Sequence, residues 1–396
     1  MKTNSGHQPT KIKRGLSVWL VYIMLSCFAY VLNVAGPAVT YLRDEFNLSF
    51  TEGGLHTSAL ALGMVMMGLL GQLVLRKLPA WKALGLGGLG LGVGGLIFVL
   101  GNQPVFTLIG LFLMGAIGSL IVSTNPAILA DEMGTQSKVG VSEANTMSSI
   151  FSTLAPLAVG YFAATVVTWR PAVFIVTSLA FLLGLWILLT PRFSRKNEPT
   201  DADTKIENGR LPGKYWLFWA ALVTSISIEF CLIYWSSDYL QSHLAMPKDI
   251  ATQSVSLFLI GMVVGRYFGS LLLPKFDRFS ILFSSIGIGV LGYLIFWFGK
   301  AQFISLAGLF LAGLGVANLY ANLVTLSFDA AGTARAAAGP ATTLASGVAI
   351  LLLPFALGSL ADLLGIRTAM LLVAVLYLVL ITLMLSGKKA SEPEPA

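Results

Sequence analysis

Three ionisable side chains sit where the chain is otherwise lipid-soluble: Glu229 in "SIEFCLIYWSSDYL", Glu143 in "VSEANTM" and Arg266 in "VVGRYFG". An ionised group at the centre of a bilayer costs roughly 2.5 to 3.5 kcal/mol on insertion scales, so each needs something to offset that cost. Glu229 lies 15 residues beyond Lys214, or about 22 Å at 1.5 Å per residue. A carboxylate at that depth is placed to take up and release protons as its surroundings change. Glu143 lies about 7 Å in from Lys138 and Arg266 about 13 Å in from Lys275. An Arg side chain leaning towards the interface can cover that difference, so the two are expected to form an ion pair that acts as a gate. Neutral polar residues accompany them. Tyr30, Asn33 and Pro37 share one face of a helix, Asn318 and Asn322 share another, Asn125 is deep in its own apolar run, and Trp235 follows Glu229 by six residues.

The elements that must position these groups are membrane helices. The chain has 396 residues, 56% hydrophobic and 11% charged, with a mean hydropathy of +0.81. Soluble proteins carry about 25% charged residues. Apolar runs long enough to cross about 30 Å of hydrocarbon recur at roughly 16–42, 53–75, 82–100, 104–131, 138–167, 170–190, 215–240, 251–273, 279–298, 302–328, 335–361 and 367–386. They are continuous and do not alternate with period two, which excludes barrel strands. The expected fold class is therefore an all-α membrane protein of twelve transmembrane helices. With the N-terminus cytoplasmic, 19 Lys and Arg fall on the inner side and 5 on the outer, so both termini are expected in the cytoplasm and the protein in the cell's inner membrane. The net charge of +7 then reflects topology and anionic lipid, with no nucleic acid as partner.

Other motifs carry little chemistry. Cys27 and Cys231 lie in separate apolar spans without a His cluster, so neither a disulfide nor a metal site is expected. "GLGGLG" at 85–90 matches a dinucleotide pattern, yet it sits inside a span and position 110, where an acidic residue belongs, is Gly. Close helix packing accounts for it better. No Walker motif or nucleophile elbow is present, so no cofactor, ATP drive or enzyme chemistry is expected.

"GLFLMG" at 110–115 returns as "GLFLAG" at 308–313, and the same offset of 198 relates Tyr41-Leu42 to Tyr239-Leu240, Asp131 to Asp329, Gly134-Thr135 to Gly332-Thr333 and Pro156 to Pro354. One gapless shift indicates a duplication. The halves are expected at 1–190 and 214–396, joined by a polar cytoplasmic linker at 191–213.

With twelve spans, a duplication and the degenerate loop "GQLVLRKLPAWKAL" at 71–84, echoed by "GSLLLPKFDRFSIL" at 269–282, the chain resembles transporters of the major facilitator superfamily. Leu75 stands where that family's loop carries an Asp. The pattern of Glu229, Trp235-Ser236 and Tyr239-Leu240 is similar to the seventh helix of bacterial sugar-permease-like members. The resemblance implies two pseudo-symmetric six-helix bundles in a monomer, whose spans one, four, seven and ten line a central cavity. Tyr30, Asn33, Asn125, Glu229, Trp235, Asn318 and Asn322 would then be cavity residues, Glu229 the proton-coupling group, and Glu143 with Arg266 the gate. The expected function is secondary active transport of a small polar or amphipathic solute by alternating access, coupled to protons. A neutral solute or a cation suits these residues better than a multiply charged anion. Alternatives are a proton-driven drug or metabolite exporter of the same fold and, from another class, a non-transporting membrane sensor or membrane enzyme.

Overall fold

The computed structural model describes residues 14–75, 77–165, 168–194 and 211–390. In chain order the helices are α1 (Leu16–Phe46), α2 (Phe50–Leu75), α3 (Ala80–Leu100), α4 (Pro104–Ala116), α5 (Leu120–Met133), α6 (Ser137–Ala163), α7 (Arg170–Leu189) and α8 (Pro191–Ser194). They continue as α9 (Gly213–Leu244), α10 (Lys248–Leu272), α11 (Arg278–Phe298), α12 (Gln302–Val316), α13 (Leu319–Ala331), α14 (Arg335–Leu364), α15 (Ile366–Ala369) and α16 (Leu371–Lys389).

Eleven helical stretches among these residues are long and apolar enough to cross a membrane, and one of them, Pro104–Ala163, has 60 residues. At 1.5 Å per residue that would be about 90 Å, three times the hydrocarbon thickness. It crosses twice because the 3₁₀ turn Gly134–Gln136 divides it, with Gly134 at φ 55°. Twelve crossings result among the described residues, so residues 14 and 390 lie on one face, here the terminal face. The fourth crossing is broken between α4 and α5 and the tenth between α12 and α13.

The duplication seen in the sequence is a duplication of packing. Gly332, 198 residues after Gly134, also has φ 55° and ends α13 as Gly134 ends α5. Asn47 and Ala245, again 198 apart, cap α1 and α9 in left-handed conformations at φ 52° and 48°. A methyl added at Gly115 would lie 1.9 Å from the Leu60 carbonyl oxygen, and one at Gly313 would lie 1.9 Å from that of Phe258. In lipid there is little hydrophobic drive between helices, so close backbone approach through small residues carries the association. Both α2 on α4 and α10 on α12 depend on it.

Each half has its own apolar core. One runs from Val18 to Phe193 and the other from Phe218 to Met384, with Ala61 joining the second from across the interface. The start of the expected linker belongs to the first core, since Phe193 packs on Trp81 with ring centroids 4.5 Å apart. Residues 195–210 of that linker, and the tail containing Lys2, Lys11 and Lys13, lie outside the described residues. At the terminal face Asp277 caps α11 by accepting from the Ser280 backbone N–H at 2.9 Å; the Ser280 hydroxyl, donating at 2.6 Å, and then this N–H hold its carboxyl below the usual carboxylate range.

Candidate functional site

The halves meet along α1 and α9, α2 and α14, and α6 and α10. Their contacts begin at the face opposite the chain ends. There α1 and α9 cross at residues 198 apart: a methyl at Gly36 would lie 2.4 Å from Tyr234 Cδ1, and Thr40 donates to Asp238 at 3.0 Å. Arg43 donates to the other Asp238 oxygen at 2.6 Å, and this pair is nearly buried, with side-chain exposures of 12% and 8%. The Arg43 guanidinium also stacks 3.6 Å from the Phe50 ring centroid. Lys248 at the start of α10 donates to the Thr40 carbonyl at 2.9 Å and pairs with Asp44. Asp362 near the end of α14 accepts from the Phe50 and Thr51 N–H groups at 2.8 and 2.7 Å, placing a carboxylate at the positive end of α2. These contacts seal the far face.

Deeper in, Ser58 donates to the Leu351 carbonyl at 2.7 Å, and Ser256 to that of Thr153 at 2.8 Å. The cross-half bonds then reach Arg266, whose Nη1 donates to Ser149 Oγ at 3.0 Å. Beyond that point α6 carries Ser142, Asn145 and Thr146, all exposed. They continue the helical face that holds Ser149 and Thr153 at spacings of three and four. A polar face aimed into lipid is costly, so this one borders a water-accessible cavity between the halves, open towards the terminal face.

Glu229 lies sixteen residues from Gly213 and fifteen from Leu244, at the middle of α9. It is partly exposed and forms no hydrogen bond or ion pair with any described residue. The groups that act on it electrostatically are Arg266 on α10, Tyr320 on α13 and Tyr234 on α9 itself. Tyr320 is exposed to 44% of its surface.

The remaining residues expected at the cavity make the following contacts. Tyr30 is 3% exposed and donates to the Ala172 carbonyl of α7 at 2.8 Å. Asn33 donates to Ser152 at 3.0 Å, joining α1 to α6 within one half. Asn125 is buried, with an amide nitrogen that has no partner among the described residues. Asn318 begins α13 at the break in the tenth crossing and donates to the Gly265 carbonyl at 2.9 Å, while buried Asn322 donates to the Asn318 carbonyl at 2.8 Å. Trp235 belongs to the far-face seal, its Nε1 donating to the Pro354 carbonyl at 2.9 Å.

The expected Glu143–Arg266 pair is not formed in this arrangement, in which the cavity is open where the pair would lie. Glu143 accepts from Arg14 Nε at 2.8 Å and from the Tyr22 hydroxyl at 2.9 Å. Arg266 points the other way because a helical side chain leans towards its helix N-terminus, which for α10 is the far face. His56 is buried and bonds Thr107 at 2.9 Å. Sequence reasoning missed Asp238 and Tyr320. For Asp238 the available signal was Thr40 at the equivalent position in the first half.

A sequence model described as Major Facilitator Superfamily matches residues 18–345. The chain belongs to the Major Facilitator Superfamily. It is accordingly a membrane transporter and not an enzyme. Among solved structures, a bacterial homolog of the human lysosomal transporter Spinster, inward-facing and unoccupied, is 13% identical with a TM-score of 0.78, covering 96% of this chain and 98% of that one. The nucleoside transporter NupG is 15% identical with a TM-score of 0.75, covering 95% and 100%. A D-xylose-proton symporter is 16% identical with a TM-score of 0.71, covering 94% and 96%. No curated protein sequence matches the chain.

Proposed function

We propose that the protein is a proton-coupled secondary active transporter that carries a small polar or amphipathic solute by alternating access. The observation that carries this reading is Glu229, a carboxylate at the middle of the membrane, partly open to the cavity and bonded to no described residue. A carboxylate in such a place is retained at a cost, and proton exchange is the chemistry that justifies it. The names of the D-xylose-proton symporter and of an E. coli fucose:proton symporter of similar fold are consistent with this coupling.

With 19 Lys and Arg on the terminal side against 5 on the other, the terminal face is cytoplasmic and the protein is a multi-pass inner-membrane monomer. The sealed far face and open terminal cavity then represent the inward-facing extreme of the cycle. Protonation removes the charge of Glu229, so the site can pass through the closed intermediate without an ionised carboxylate stripped of water. Proteoliposomes with an imposed pH gradient test the assignment. Glu229→Gln is expected to abolish gradient-driven accumulation and to retain part of the solute exchange. Accumulation with an unchanged pH profile in the variant would remove Glu229 from the proton path.

A further inference from the structure

Arg266 is the second charge in the cavity, and the far-face seal does not use it. Its guanidinium spends one nitrogen on the neutral Ser149 hydroxyl, and no carboxylate of a described residue lies within 4 Å of it. Glu229 acts on it from a longer distance. A guanidinium presents five donors in a planar fork that matches a carboxylate. Arg266 thus keeps most of its donors for a ligand, at the junction of α6, α9 and α10, where a solute entering from the terminal face stops against the seal.

We propose that Arg266 is the substrate anchor and that the substrate carries a single carboxylate. The inference rests on the transport reading above and narrows its substrate class. Charge arithmetic supports it. With Glu229 ionised and Arg266 charged, the pair sums to zero. One bound carboxylate makes the site −1, and one proton on Glu229 returns it to zero. Substrate and proton are therefore held together, each lowering the cost of the other, and leave together when the proton departs. The groups facing Glu229 during this exchange are Arg266, Tyr320 and Tyr234. The two tyrosines supply neutral hydroxyls, which leaves Arg266 as the positive partner for which the carboxylates of Glu229 and substrate compete. A neutral solute would give Arg266 no role, and a cation would be repelled by it. This differs from the neutral or cationic solute expected when Arg266 was assigned to a gate.

The test is binding to purified full-length protein, by tryptophan fluorescence, of lactate, pyruvate, gluconate and benzoate, each against its uncharged amide. Proton uptake on binding is followed with an indicator dye in weak buffer. At least one acid should bind roughly tenfold or more tightly than its amide. Arg266→Gln should erase that preference, Arg266→Lys should keep part of it, and both should melt as the parent does. Glu229→Gln should bind the acid without taking up a proton. Equal binding of acids and amides, binding of none of these acids, or an acid preference that survives in Arg266→Gln overturns the proposal. Acid binding that depends on Arg266 but takes up no proton upholds the anchor and removes the proton role of Glu229, so the two readings fail separately.

Discussion

The two halves of the molecule share a backbone and differ in chemistry. At residues 198 apart they repeat the same caps, the same left-handed turns and the same carbonyl-to-glycine approaches. The ionisable groups of the cavity and seal break that symmetry. Glu229 corresponds to Val31, Arg266 to Gly68, and Asp238 to Thr40. At these three positions the charged residue is in the second half and its counterpart in the first is neutral. Hydroxyls of the first half meet two of the charges, Thr40 at Asp238 and Ser149 at Arg266, while Arg43 and Asp44 of the first half supply the ion pairs to Asp238 and Lys248. Packing is fixed by positions that a duplication must keep. Chemistry needs only a few positions that tolerate change, and a carboxylate on one half alone can bind and release without meeting a like charge from its symmetry mate.

The strongest way to break this comparison is to show that the scaffold is not equivalent in the two halves. Gly115→Ala and Gly313→Ala each place a methyl 1.9 Å from a backbone oxygen that cannot move aside. Each should cost about 3 kcal/mol, the upper end of the overpacking range, and the two should lower the melting temperature in detergent by similar amounts. A large loss for one and none for the other would mean that only one half relies on this approach.

Next in size is the asymmetric charge of the seal. Asp238→Asn leaves Arg43 without its carboxylate in a nearly buried place. Removing one partner of such a pair costs about 3 kcal/mol in the state that buries it, roughly a hundredfold in the population of the sealed far face. Labelling of a single cysteine on the far-face side of the cavity should rise accordingly. Thr40→Val, its symmetry counterpart, should raise it far less, because only a neutral hydrogen bond is lost. Equal effects would deny that the carboxylate of Asp238 does more for the seal than the neutral hydroxyl at its counterpart Thr40.

The scaffold was far more legible in the sequence than the site. Twelve crossings follow from the cost of leaving backbone groups unsatisfied in hydrocarbon, and the duplication from residue identities. Spacing showed that Tyr30 and Asn33 share a face of α1, but a helix apolar all round does not reveal which face meets the cavity. The Tyr30 hydroxyl in fact reaches α7 and the Asn33 amide reaches α6, both within their own half. Arg266 was legible as an ionisable group inside a span. Its direction was not, because snorkelling towards the nearer interface and leaning towards the helix N-terminus give opposite answers on α10. Asp238 was passed over because, nine residues beyond Glu229, it reads as a residue near the interface, and its partner Arg43 is 195 residues away.

A smaller effect is expected at the seam itself. Gly36→Ala puts its methyl 2.4 Å from Tyr234 Cδ1 and 2.7 Å from Tyr234 Cα. The ring can yield and the backbone cannot, so we expect a cost of about 1 to 2 kcal/mol. This contact joins the two halves, whereas Gly115 and Gly313 pack within one. Gly36→Ala should therefore leave the melting temperature nearly unchanged while raising far-face cysteine labelling about tenfold. A melting loss as large as that of Gly115→Ala would show that the halves do not move as separate bodies at this crossing.

The smallest effect should come from Arg14→Gln. Arg14 holds Glu143 at the terminal face, and that carboxylate in turn holds the guanidinium above its ordinary value, so the pair stays charged at any pH a cell meets. Both partners are well exposed, at 37% and 30% of their side-chain surface, and exposed ion pairs contribute little. Tyr22 keeps its hydrogen bond to Glu143 in the variant, so no buried group is orphaned and melting should be unchanged. What changes is the freedom of Glu143, which Arg14 no longer draws towards α1. If closure of the terminal face requires Glu143 to find a cation on the other half, Arg14→Gln should lower labelling of a terminal-side cavity cysteine. If Glu143 serves only to tie α6 to the start of α1, labelling should stay at the parent level. We expect the second result, because the only cation brought near this seam by α10 is Arg266, and it is held by Ser149.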